Sequence, residues 1–448
     1  MTRVAVVGAG PAGLAAAYRL TEAGVQTVVF EAGPSIGGLA RSMEIWGQAV
    51  DLGAHMFTLT DPRIGRLWAE LVGSDYDTVP RRTRVLFDRW ALGYPFEPLE
   101  AVRTIGFGEA ARCAGSLAVA RLRSPGTESD LESWVVHRFG RRAFELFFAD
   151  YVEKLFGSPA SGIDGAFAQT LLGFQRYGSL RQTARSHCRP PRRAGPTSLV
   201  RPYGGIGVLA QRLAEYVGAH GGEVHCDAPI ARLTTVGERI DGVELQNGER
   251  WELDAVVAAL PLTLTARLLG LSAGHEAPQF RSVVLVYLLV AGRAFRDQWV
   301  FLAPKRFKSS RITNFRSWSP ENGDDLQAVL SAELWCDSAD SLWSASDEDL
   351  QKLAVDELTE AGLLHRQSIL DGHVVRLRDA FPVPVVGFGD ALAATAKRLS
   401  RFTNLATTGG LGAISNAGVH GSLIAGMEAG DAVARTIAPT SFAVPLAG

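Results

Sequence analysis

The sequence predicts an α/β fold, a doubly wound parallel sheet interleaved along the chain with an α+β unit and a helical subdomain. Three observations lead there. A short apolar strand, Val4 to Val7, runs into Gly8-Ala9-Gly10-Pro11-Ala12-Gly13 and an Ala/Leu-rich helix. A second strand, Thr27 to Phe30, then ends in the acidic Glu31. The rest of the chain alternates between helical and strand-like stretches over 448 residues, long enough for two or three domains.

Each glycine of the first motif has a steric task. Gly8 allows the tight turn out of the strand, Gly10 lets backbone come close to a pyrophosphate, and Gly13 lets the helix pack on the sheet. The helix start at Pro11 and Ala12 offers N–H groups and a partial positive charge to phosphates. Glu31, with Ala32 beside it, follows at about the 20-residue distance at which a carboxylate meets a ribose hydroxyl. These residues point to a bound dinucleotide.

A second glycine pair opens Gly37-Gly38-Leu39-Ala40-Arg41. Here backbone can approach the phosphates from the other side, and Arg41 supplies a planar cationic fork. Asp51-Leu52-Gly53-Ala54-His55-Met56 follows soon after. Together these resemble the G-G-x-x-R and D-x-G-x-H segments of the amine oxidase, protoporphyrinogen oxidase and UDP-galactopyranose mutase superfamily. The resemblance implies a Rossmann-type FAD-binding domain. It puts Gly37, Gly38, Leu39 and Arg41 at the pyrophosphate, and Gly53, Ala54, His55 and Met56 near the isoalloxazine. It also implies a backbone contact near Ile230 to the adenine, and a C-terminal block, Gly410, Asn416, Gly418 and Val419 included, that closes over the flavin. A helix from Ser422 to about Arg435 would point N–H groups at the flavin edge that gains negative charge on reduction. The superfamily's covalent members attach their flavin through a cysteine in that block. This chain has no cysteine after Cys336, so the FAD is expected to be non-covalent.

Composition narrows the class. Hydrophobic residues make up 47% and charged residues 21%, as in an ordinary globular enzyme, and a net charge of −2 gives no reason to expect nucleic acid. The four cysteines, Cys113, Cys188, Cys226 and Cys336, are far apart and match neither a disulfide framework nor a zinc site. No metal and a reduced, cytoplasmic setting are therefore expected. The first strand begins at Arg3, which leaves no room for a signal peptide. The longest apolar run, Val283 to Ala291, is too short for an integral membrane segment and reads as a buried strand. The expected partner is a small-molecule substrate, and no motif sets an oligomeric state.

By this reading residues 1–55, 196–270 and 396–440 form the FAD-binding unit. Residues 56–195, largely helical, and 271–395 form the substrate side. Asp61-Pro62-Arg63 starts a helix with Ile64, Leu67, Trp68 and Leu71 on one face. Asp130 can cap another that carries Leu131, Trp134, Val135 and Phe139. Ala101 to Arg123 reads as a substrate-domain helix, with a membrane surface as the alternative. Cys188 to Pro202 is rich in Arg and Pro and reads as a basic loop (Arg189, Arg192, Arg193, Arg201), either solvated or a lid over an anionic substrate. A helix bearing Leu209, Leu213 and Val217, a hairpin turning at Asn247-Gly248, and a buried strand from Asp254 to Pro261 follow. Ser282 to Val290 and Gln327 to Leu334 are the clearest later strands.

The middle of the chain refines the resemblance. Gly53 to Phe57, Ile64 to Trp68, Tyr94-Pro95-Phe96, Phe139 to Arg142, Tyr151 to Gly157 and Arg311-Ile312-Thr313-Asn314-Phe315 look like successive segments of UDP-galactopyranose mutase and mutase-like flavoproteins. Two departures matter. The mutases hold a substrate diphosphate with arginines, the first soon after a W-G segment. Here Phe156 replaces that Trp and the next arginine is Arg176, with Arg181, Arg185 and Arg311 as possible substitutes. Gly418-Val419-His420-Gly421 looks more like the oxidases and dehydrogenases. Two reactions follow. The primary expectation is hydride removal from a sugar-like or secondary-metabolite substrate to oxidised FAD. The alternative is redox-neutral pyranose–furanose isomerisation of a nucleotide sugar on reduced FAD. His55, Arg311 and Asn314 are the candidate catalytic residues. An imidazole titrates near neutrality and so can move a proton, although a structural hydrogen bond would equally explain His55.

Overall fold

The computed structural model describes residues 2–88, 90–94, 97–122, 128–166, 198–271, 279–292, 294–318, 326–409 and 418–437. Strand Arg3–Val7 lies between Gln26–Phe30 and Ala255–Ala258, and Glu223–His225 and Leu405–Thr407 complete a five-stranded parallel sheet. These short runs are Val- and Ala-rich because both sheet faces are covered. Helix Pro11–Glu22 lies on one face, packed with Gly207–Ala219 and Gly418–Ile437. A Cβ on Gly426 would sit 2.0 Å from the Ala12 carbonyl oxygen, so the first and last helices meet backbone to backbone. On the other face lies the antiparallel sheet Ile230–Val236, Arg239–Leu245 and Arg250–Glu252, which contains the expected Asn247-Gly248 turn.

A seven-stranded sheet forms the substrate side. Its spatial order is Ile369–Pro382, Phe280–Ala291, Gln327–Cys336, Ser309–Asn314, Trp299–Leu302, Thr83–Phe87 and Trp90–Gly93. Phe280–Ala291 is buried from Arg281 to Val290. One face packs on helix Asp347–Glu360 and the other on Val50 and Leu52, which explains an unbroken apolar run where a half-exposed strand would alternate.

Two stretches differ from expectation. Within the helical 56–195 segment, Tyr76–Pro80, Thr83–Phe87 and Trp90–Gly93 are strands. Their β-branched and aromatic residues alternate in burial along Thr83–Phe87, a period-2 signal short enough to be hidden between helices. Ser198–Pro202 is also a strand, paired antiparallel with Tyr76–Pro80. Arg201 on it is buried, so neither loop reading holds for this residue; Arg189, Arg192 and Arg193 lie outside the described residues. Ala101 to Arg123 resolves into Pro98–Ile105 and Phe107–Leu122, broken at Gly106 with φ +83°. Among the described residues no helix is long and apolar enough to cross a membrane.

Candidate active site

The glycine motifs build a concave backbone cradle. Gly8 takes φ +98° and donates its N–H to the Phe30 carbonyl at 2.8 Å, turning the chain from strand to helix. A Cβ on Gly13 would lie 1.8 Å from the Gly8 carbonyl oxygen. Gly10, by contrast, borders open space: a Cβ there meets nothing within 4 Å, and no side chain caps the helix. The first-turn N–H groups of Ala12 and Gly13 have no intrahelical acceptor. The second glycine pair lies against the first. Gly37 donates to the Ala9 carbonyl at 2.8 Å, and a Cβ on Gly38 would be 3.3 Å from Gly10 Cα. Glu31 accepts from the N–H groups of Ala9 and Gly33 at 2.8 and 2.9 Å, and each of its oxygens keeps further acceptor capacity. Arg41 packs its stem beneath Gly37 and donates to Ser35 Oγ at 2.6 Å. The Ala228 N–H bonds the Glu31 carbonyl, which brings the approach to Ile230 alongside Glu31 and Ala32. Leu39 and Met56, both apolar, are 47% and 49% exposed. Free helical N–H groups, an open Gly10 and uncovered apolar side chains together fit a dinucleotide flavin.

His55 ties the Gly37–Arg41 and Asp51–Met56 segments together. Its Nε2 lies 3.1 Å from the Leu39 carbonyl oxygen. A carbonyl only accepts, so Nε2 carries the proton and neutral His55 keeps its lone pair on Nδ1. Burial pushes the imidazole below its ordinary pKa; Arg311 adds to this and Asp51 opposes it. The ring is therefore neutral at pH 7 even though part of its surface stays open.

Arg311 meets this segment through a residue the sequence reading missed. Glu333, 2% exposed, accepts Arg311 Nε at 2.8 Å and faces Nη2 at 2.7 Å, both through Oε1. The same oxygen is 3.4 Å from the Ala54 amide, and a Cβ on Gly53 would approach it to 3.2 Å. Burial opposes the Arg311 charge, but Glu333 more than offsets it, and the guanidinium stays ionised. A charged residue inside the apolar run Ala328 to Trp335 was the available signal, because a buried carboxylate requires a partner. Tyr151 feels the same pair: burial holds its phenol neutral well above the ordinary range. Tyr94 and Tyr151 flank Phe301 at 6.0 and 5.8 Å between ring centroids, and Arg81 lies over the faces of Tyr94 and Trp299. In the Tyr151 segment, Lys154 Nζ donates to the carbonyls of Leu302, Pro304, Phe307 and Ser309 and locks the loop leading to Arg311.

Asn314 does not join this group. It is fully buried, with Nδ2 donating to the Phe295 carbonyl at 2.5 Å and Oδ1 accepting the Arg316 N–H at 3.0 Å. Its side chain also caps the turn Phe315–Ser317. Gly410 and Asn416 lie outside the described residues. Gly418 opens the C-terminal helix at φ +85°, and Val419 packs in the same core cluster as Phe57.

A glycine cradle open at Gly10, with free first-turn N–H groups and the Glu31 carboxylate beside it, has the shape a dinucleotide cofactor of a flavin-dependent enzyme requires. Residues 11–434 match the flavin containing amine oxidoreductase family, and the chain belongs to that family, as an FAD-dependent enzyme. It is 26% identical over 412 residues to the coproporphyrinogen III oxidase of Mycobacterium bovis, covering 87% of this chain and 88% of that one. It is 30% identical over 284 residues to the zeta-carotene-forming phytoene desaturase of Myxococcus xanthus, covering 57% and 52%. The crystal structure of a reduced UDP-galactopyranose mutase shares the fold, with a TM-score of 0.81 and 20% identity over 98% of this chain and 97% of that one.

Proposed function

We propose that the enzyme oxidises a small, ring-bearing molecule, of sugar-like or secondary-metabolite type, by removing a hydride from a C–H. When bound, FAD, held non-covalently, supplies the hydride acceptor at N5. The chain's own tasks are to place the C–H and take the accompanying proton. His55 Nδ1 is the proton acceptor in this reading, with its ring held by Leu39. Tyr94, Phe301 and Tyr151 give the substrate flat apolar walls, and the neutral Tyr151 phenol offers a hydrogen bond.

One observation carries the preference for oxidation. The Arg311 guanidinium is already neutralised by the buried Glu333. Arg311 then brings no uncompensated charge to a buried diphosphate, and Arg176, Arg181 and Arg185 lie outside the described residues. The mutase reading keeps support from the fold likeness and from the segments at Tyr94 and Tyr151 to Gly157. The test is anaerobic mixing of the FAD-loaded enzyme with candidate reductants, including coproporphyrinogen III and reduced sugar derivatives. Bleaching of the flavin, reversed by air, supports oxidation. Turnover of UDP-galactopyranose only after dithionite reduction, with no net electron use, would establish the mutase instead.

A further inference from the structure

We infer that Lys154 is a positioning residue whose ammonium group, caged by the carbonyls of one hairpin loop, holds Tyr151 against the Phe301–Arg311 pair. The inference takes these residues as substrate-side groups and so rests on the reading proposed above. Lys154 Nζ donates to the carbonyls of Leu302, of Pro304 at 3.2 Å, of Phe307 at 3.1 Å and of Ser309 at 2.9 Å. These four span the whole connection between strands Trp299–Leu302 and Ser309–Asn314. On those strands Phe301 lies directly opposite Arg311. Tyr151 comes three residues before Lys154 on helix Ala149–Phe156, so the two share a helix face. The Tyr151 ring meets Phe301 at 5.8 Å between centroids. One side chain thus ties the helix that carries Tyr151 to the hairpin that carries Phe301 and the guanidinium.

The far side of the loop is held by the opposite charge. Glu357, buried on helix Asp347–Glu360, accepts the Lys308 N–H and, at 2.8 Å, the Ser309 N–H. Ser309 is therefore held by its carbonyl on Lys154 and by its amide on Glu357, two residues before Arg311. An ammonium has three N–H groups for the four carbonyls, and a neutral amine would have only two. Burial pushes the amine down to about 7, and Lys308 and Arg306 add to this, while Glu357 and Asp150 oppose it. The charge is thus the part of Lys154 on which the loop depends. An apolar side chain of similar length would leave the inward carbonyls without a donor.

The test uses the full FAD-loaded chain at mildly acidic pH, where the amine is charged. Lys154→Met should speed hydrogen exchange in residues 302–314 and change the visible circular dichroism of the bound FAD, which reports the groups around the flavin. With any reductant that bleaches the flavin, kcat should fall by about 10²-fold, the scale of an ångström of misplacement, and KM should change much less. Lys154→Ala opens the space of a propylamine, and n-propylammonium chloride should restore its slow exchange, its dichroism and its kcat. 1-Propanol lacks the charge and tetramethylammonium lacks N–H donors, so neither should restore them, and the wild type should respond to none of the three. Should Lys154→Met not fold, Lys154→Ala prepared in n-propylammonium and then dialysed gives the same comparison. Faster exchange with wild-type dichroism and kcat would leave Lys154 a structural anchor and overturn the proposal, as would equal rescue by 1-propanol. Failure of every reductant to bleach the flavin would strike the oxidative reading alone, because exchange, dichroism and rescue by n-propylammonium need no substrate.

Discussion

Arg201 donates from Nε to Asp51 Oδ2 at 3.1 Å across 150 residues of sequence, and both side chains are buried. The same carboxylate accepts the Ser42 hydroxyl at 2.5 Å and the Ile206 N–H at 3.0 Å, while the Asp51 carbonyl accepts the Tyr287 hydroxyl at 2.8 Å. Four segments thus converge one turn before Gly53, Ala54 and His55. The pair sets where the Gly53–His55 turn begins.

Removing the guanidinium while keeping its volume tests this. Arg201→Met leaves Asp51 buried without a counter-charge, a change that costs about 3–5 kcal/mol. Urea unfolding should record that loss, and the FAD-binding affinity should fall with it. A loss below about 1 kcal/mol, the scale of a surface pair, would show that the pair does not hold the turn.

The pH dependence should report His55. Burial, with Arg311, depresses its pKa, so the folded imidazole stays neutral below the ordinary value of about 6.5. The unfolded chain takes up that proton first, so His55 lowers stability as the pH falls below about 6.5 and costs nothing above it. Activity that needs a neutral Nδ1 should therefore persist below pH 6.5 before its acid limb begins. His55→Gln should lower kcat by about 10²–10⁴ while retaining FAD. An unchanged kcat would reduce His55 to a tether for Leu39.

The cofactor cradle gives a sharper contrast. Gly10→Val places a side chain in open space beside the helix N-terminus, so the apoprotein should fold normally and fail to take up FAD. Glu31→Ala removes the acceptor for the Ala9 and Gly33 amides together with any ribose contact. It should weaken FAD by about 1.5–3 kcal/mol, the scale of hydrogen bonds to a charged group. Fluorescence titration of the apoprotein measures both.

What the sequence made legible was whatever depends on neighbours in the chain. Gly8 to Gly13, Gly37-Gly38 and Glu31 were readable because their roles are local backbone geometry at fixed spacing. Arg201 looked like loop charge because its meaning lies in Asp51, a partner brought near only when Ser198–Pro202 pairs with Tyr76–Pro80. Glu333 was visible as a misfit in an apolar strand, but Arg311 as its partner comes from the Ser309–Asn314 and Gln327–Cys336 register, which sets Arg311 opposite it. The capping bond of Asn314 was not legible, because a motif shared in order does not distinguish a side chain aimed at substrate from one that caps a turn.

That Arg311–Glu333 register yields the most discriminating variant. Glu333→Gln keeps the shape and one acceptor oxygen for Arg311 but removes the negative charge, leaving Arg311 without compensation. The FAD-loaded variant should melt at a lower temperature than the wild type, because a largely buried cation has lost its partner. Pyrophosphate should then raise its melting temperature by binding the uncompensated charge in the folded state alone. The wild type, with Arg311 already neutralised, should show no such rise. Equal stabilisation of both proteins by pyrophosphate would mean that the site accepts a diphosphate despite Glu333, and the oxidative reading would give way to the mutase.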